Sequence, residues 1–138
     1  MANLSITVSQ VQAAASAATF GSLIAGEEID PGETVYKKAA DKKGWLGGAA
    51  TEAEADVVGI AVCHAYAGQK VVYQKTGNVN LGAGASVAQG QVYVASATSG
   101  KIAVESDLGS GEYVTVLGVG NDADEIELDI NASGIAHA

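Results

Sequence analysis

Cys63 and His64 stand side by side in VCHAY, a thiol next to an imidazole, the groups from which a cysteine nucleophile and its general base are made. On an extended backbone neighbouring side chains point to opposite faces, so adjacency separates the two groups. The expected roles are a small buried hydrophobe and a surface imidazole. His137 falls in NASGIAHA, which reads as a small-residue tail and gives a general base no fixed position. Two glycine runs invite a phosphate and then decline it. GAGASV (82–87) lacks the third glycine of a dinucleotide fingerprint and precedes a strand signal, and SGKI (99–102) has Ile102 where a P-loop needs Ser or Thr to reach magnesium. In NDADEIELD, Asp122 and Asp124 occupy the first and third positions of a calcium loop, but Ile126 and Glu127 then fill positions five and six. G-x-S-x-G, H-E-x-x-H and C-x-x-C are absent. The expectation is a chain with no catalytic, cofactor-binding or metal-ligating residue, no cofactor, and no enzymatic activity.

The elements that would carry any function alternate with period two, the repeat of a half-buried strand. EIELDI sets Ile126, Leu128 and Ile130 on one face against Glu125, Glu127 and Asp129. GKIAVES does the same with Ile102 and Val104, and EYVTVLGV sets Tyr113, Thr115 and Leu117 against Val114 and Val116. These are antiparallel strands with one wet face. DPGE (30–33) places Pro and Gly where a type II turn requires them, and TSGK (98–101) closes a hairpin on a glycine free to take positive φ. DKKGWLGG closes an earlier hairpin more loosely and puts Trp45 in a loop, as a lid over a thin core or an anchor at a protein interface.

The pattern occurs twice. IDPGETVY (29–36) matches VAQGQVY (87–93), VVGIAV (57–62) answers VLGVGN (116–121), and each copy ends in a strand, QKVVYQKTG and then EIELDINASG. The chain divides into an N-terminal arm (1–20), a β-domain (21–134) with repeat units 25–82 and 83–134, and a tail (135–138). The fold class expected is all-β: a small antiparallel β-barrel or β-sandwich built from two similar hairpin-rich halves, with an extended N-terminal arm. VQAAASAAT has helical propensity without an apolar stripe, so the arm is expected to order on a partner, with SITVSQ adding a strand to an open sheet edge.

Composition narrows the partners. The chain has 138 residues, 48% hydrophobic, enough for one packed core, but only 5% aromatic and with 18 glycines, so that core is thin. Its formal charge is -9; Arg is absent, six of seven lysines lie between Lys37 and Lys75, and eight acidic residues follow Ile102 with no basic one. Such a surface repels phosphate backbones, which excludes nucleic acid. One cysteine excludes an internal disulfide. Neither a secretion signal nor an apolar run of membrane-crossing length is present, so the expectation is synthesis in a cytoplasm and no membrane partner.

The serial order of GETVYKKA, VVGIAVCHAYAGQKVVYQKTG, GQVYVASATSGKIA and SGEYVTVLGVG resembles that of the capsid decoration, or cement, proteins of tailed bacteriophage heads, over residues 25–134. The resemblance implies a virion protein on the outer capsid surface, bound to the major capsid protein. It further implies self-association as a trimer at three-fold or quasi-three-fold positions, and stabilisation of the head against internal pressure. The family carries no catalytic residues. This sequence departs from it in its Ala/Ser-rich N-terminus and in Trp45. A second reading is a head-fibre or tail-fibre module that binds a receptor or carbohydrate through Trp45, Tyr36, Tyr66, Tyr73, Tyr93 and Tyr113.

Overall fold

The computed structural model describes residues 6, 11, 18–82, 87–122 and 124–137. The first half contains β1 (Phe20–Ile24), β2 (Thr34–Lys37), β3 (Gly44–Leu46), a one-turn helix α1 (Glu52–Ala55), β4 (Val57–Ala61) and β5 (Lys70–Gln74). The second contains β6 (Thr76–Asn80), β7 (Val92–Ala95), β8 (Ile102–Val104), β9 (Tyr113–Gly120) and β10 (Glu125–Ala136). Each half forms one five-stranded antiparallel sheet, ordered β1-β5-β4-β2-β3 and β6-β10-β9-β7-β8. Adding five to every strand number converts the first order into the second. The fold is therefore all-β, a small sandwich of two like sheets. Neither sheet closes into a barrel, although a single parallel bridge, Ala25 to Gly44, ties the two edges of the first.

The likeness extends to single residues. Val35 faces Gly59, and the register then slips before Tyr36 meets Val57. Tyr93 faces Gly118, and the register slips before Val94 meets Val116. Both halves thus bulge next to a glycine, which bends the strand and lets a neighbouring backbone approach. The equivalence pairs Gly32 with Gly90, at φ +91° and +82°, and Val35 with Tyr93. Matching the two Val-Tyr pairs of the sequence is one residue out, because a one-residue slip on a strand exchanges its faces and two adjacent apolar residues disguise it.

Val35, Ala61, Val71, Ala25, Ile29 and Ala65 fill a small core inside the first sheet. A larger core inside the second sheet holds Tyr93, Ile102, Leu117, Ile126 and Leu128, and it also takes Val57 and Ile60 from β4. The first sheet buries one face on its own core and the back of β4 on its neighbour's. Ala49, Val94 and Leu108 form a third cluster. Among the described residues the four buried polar side chains, Thr34, Gln74, Ser96 and Thr115, all have hydrogen-bond partners: Thr34 donates to the Gly47 carbonyl, Gln74 to those of Thr76 and Asn78, Thr115 to that of Ala55, and Ser96 accepts from the Thr98 amide. This is the condition for burying them without a desolvation penalty.

The turn at Asp30–Glu33 has its Glu33 amide on the Asp30 carbonyl at 3.2 Å and Gly32 at positive φ, as type II demands. EIELDI also follows its pattern, with Ile126 and Leu128 buried and Glu127 and Asp129 exposed. Three expectations change. Trp45 lies in β3, opposite Tyr36, so the loop is confined to residues 38–43. Thr76–Asn80, assigned by sequence to the first unit, pairs with β10 in the second sheet. The tail assigned to 135–138 begins as strand: β10 runs to Ala136, and the His137 amide continues the ladder to the Glu112 carbonyl. Of the N-terminal arm, Ile6 and Val11 pack against this chain's own larger core, while residues 1–5, 7–10 and 12–17 lie outside the described set.

Candidate functional site

Two short segments meet at one end of the first sheet. Ile29 and Ala65 exchange both backbone hydrogen bonds, each 2.9 Å, and both side chains are fully buried. Alternation then turns their flanking residues, Glu28 and Asp30 on one segment and His64 and Tyr66 on the other, to the opposite side. The His64 Nε2 lies 2.9 Å from Glu28 Oε2 and 3.5 Å from Asp30 Oδ1. The Tyr66 ring stands edge-on to the imidazole, centroids 4.5 Å apart and planes at 82°. Sequence reasoning missed this cluster because its members lie up to 36 residues apart and a single bridge joins them. Cys63 turns the other way: its Sγ accepts the Val72 amide at 3.3 Å and it packs on the first core. Thiol and imidazole are separated as their adjacency implied.

The lysine-rich hairpin between β2 and β3 forms a second surface. Asp41 accepts the Lys43 amide at 3.0 Å and the Trp45 indole N–H at 3.1 Å. The Lys43 bond, with the indole and the Lys38 and Lys43 charges, holds the Asp41 carboxyl below its usual range. The Lys38 ammonium sits 4.4 Å over the Trp45 ring, a cation–π contact. Tyr36, Lys37, Lys38, α1 and the Ala132–Gly134 part of β10 border an open groove of about 630 Å³. Burial raises the Tyr36 phenol. Among the aromatics of the carbohydrate reading, Tyr36, Tyr73 and Tyr93 are buried and Tyr66 alone is widely exposed, at 59%. They form no continuous stacking face.

Large apolar side chains are exposed on both sheets, Ile135 of β10 most of all. β1 is an edge strand paired only with β5 among the described residues. On its outer face Phe20 is 44% and Ile24 45% exposed, and Ile24 faces the exposed Lys70 across the ladder. Val92 and Val119, also exposed, face each other on the second sheet. Asp122 is spent on its own turn, accepting the amides of Asp124 and Glu125, and TSGK is an ordinary turn, with the Lys101 amide on the Thr98 carbonyl.

The Glu33 carboxyl is raised above its ordinary range. Burial is the larger cause; the Asp30 amide at 2.8 Å and the Lys101 ammonium at 3.7 Å oppose it. A carboxyl raised in the folded state holds its proton more tightly there than in the unfolded chain. Its contribution to stability therefore falls as pH rises from its ordinary value of 4.5 through the raised one. Glu33→Gln is expected to remove that decline, so the stability of the native protein relative to the variant should fall across the window in urea titrations. A difference independent of pH would contradict the assignment.

No family model matches the chain, and no curated protein matches it in sequence.

Proposed function

We propose that this protein is a bacteriophage capsid decoration protein, which binds the outer surface of the assembled major capsid protein lattice as a trimer at three-fold or quasi-three-fold positions and stabilises the head. The observation that carries the reading is β1. An edge strand displays two large hydrophobic side chains beside a lysine. Apolar exposure flanked by polar groups is what a docking surface presents, and among the described residues the Phe20–Ile24 edge, up to the Ala25–Gly44 bridge, offers main-chain hydrogen bonds to a partner strand. Charge supports the same orientation: four of the seven lysines lie on the β2–β3 hairpin of the first half, while the second carries most of the net negative charge. Opposite poles select one docking orientation. Many copies on a repeating lattice convert a modest interface into firm attachment.

The test is co-sedimentation with purified heads lacking the protein. Phe20→Glu with Ile24→Glu should reduce affinity at least about tenfold, because burying each side chain contributes roughly 1.5–3 kcal/mol and 1.4 kcal/mol is a factor of ten. Both side chains are exposed, so the variant's own melting temperature should barely move. Removing residues 1–18 should also reduce binding, with some loss of stability because Ile6 and Val11 leave the core. Full occupancy by the double variant would refute β1 as the contact. No binding of the native protein to heads, together with a positive glycan array, would favour the receptor-binding reading.

A further inference from the structure

We propose that Glu28, Asp30 and His64 form a binding site for one divalent transition-metal ion, with Zn²⁺ the best match. The sequence alone led to an expectation of no metal ligand; folding assembles three. Their ligand atoms all lie within 4.8 Å of one another, and the imidazole nitrogen stands 2.9 and 3.5 Å from the two carboxylate oxygens. Zinc bonds of about 2.0–2.2 Å place the ligands of a tetrahedron roughly 3.3–3.5 Å apart; the two imidazole–carboxylate distances bracket that spacing, and the carboxylate pair, within 4.8 Å, reaches it by side-chain rotation. One nitrogen with two carboxylate oxygens suits zinc and its first-row neighbours; calcium and magnesium prefer all-oxygen shells.

Three features beyond the donor set support it. The Ile29–Ala65 bridge fixes both backbones that carry the ligands, so little order remains to be gained on binding. The Tyr66 ring packs against the imidazole in a T-shaped contact, which favours one orientation of its plane. Two carboxylates converge on a single imidazole, and an ion of charge +2 matches the charge of the pair. The cluster is partly exposed, which leaves a fourth position to water. The adjacent thiol of Cys63 is excluded, since its sulfur faces the Val72 amide. A bound ion would clamp the Glu28–Asp30 segment to the His64 segment at the end of the first sheet. This site is independent of the capsid proposal and can fail or stand without it.

The protein stripped with EDTA and desalted is titrated with zinc chloride alone, by calorimetry and by thermal unfolding. One zinc ion per chain is expected, with a rise in Tm of about 5–10 °C at roughly a hundredfold excess over Kd. His64→Ala and Asp30→Asn should each weaken binding at least about 100-fold, the upper end of what loss of even an outer-shell partner costs. Cys63→Ser should bind as the native chain does, and magnesium chloride should give no comparable shift. His64 is exposed, so a Tm of metal-free His64→Ala close to that of the native chain will show that the variant folds. Lack of saturable zinc binding, or zinc binding that survives His64→Ala, would overturn the proposal.

Discussion

Gly118→Ala is expected to destabilise the fold by about 3 kcal/mol, the upper end of overpacking costs, and to lower Tm by roughly 10 °C. A Cβ built on Gly118 would stand 2.1 Å from the Glu127 carbonyl oxygen. That oxygen belongs to β10, which cannot retreat because β6 pairs with its other side. The equivalent change, Gly59→Ala, meets the Tyr73 ring at 2.4 Å and the Gln74 carbonyl at 2.7 Å. The ring can tilt, and the backbone oxygen lies farther away than the one at Gly118, so about 2 kcal/mol is expected there. Gly109→Ala is the control: its nearest neighbour is the flexible end of Glu112 at 3.4 Å, and the change should stay within about 0.5 kcal/mol. Urea denaturation of the three variants gives the comparison. Equal effects at Gly118 and Gly109 would mean that the bulge is not as close as described.

Ile60→Ala is expected to cost about 3–4 kcal/mol, the cost of a buried large-to-small change including its cavity. Ile60 is fully buried and belongs to β4 of the first sheet, yet it packs in the core of the second. The loss should therefore be felt by the whole chain. Trp45 fluorescence reports on the first sheet and far-UV circular dichroism on both, and the two midpoints should shift together in the variant as in the native protein. A Trp45 transition separated from the circular dichroism transition would show that the halves unfold independently.

The sequence revealed most clearly those features that neighbours along the chain decide. The alternation of EIELDI and the Pro-Gly turn at residues 30–33 are local rules, and both hold. The repeat was visible in its glycines. Its register was not, because Val-Tyr occurs at positions one residue out of step and a bulge absorbs the difference. β3 was read as loop since Gly44 and Leu46 have no strong strand signature; pairing with β2 decides it, and such context outweighs propensity in sheets. The Glu28–Asp30–His64 cluster was least legible. Each of its residues reads singly as a solvated side chain, and only the bridge between Ile29 and Ala65 brings them together.

Lys75 is the whole distance between the two sheets: β5 ends at Gln74 and β6 begins at Thr76. Its amide is held by the Thr19 carbonyl, and the Gln74 side chain holds the carbonyls of Thr76 and Asn78. A protease needs a stretch of chain that opens locally, and opening this one would break both sheets at once. Nicking should therefore begin at hairpin tips such as residues 38–43, and the halves, although each has the outline of a small domain, should be cleared from a cell together.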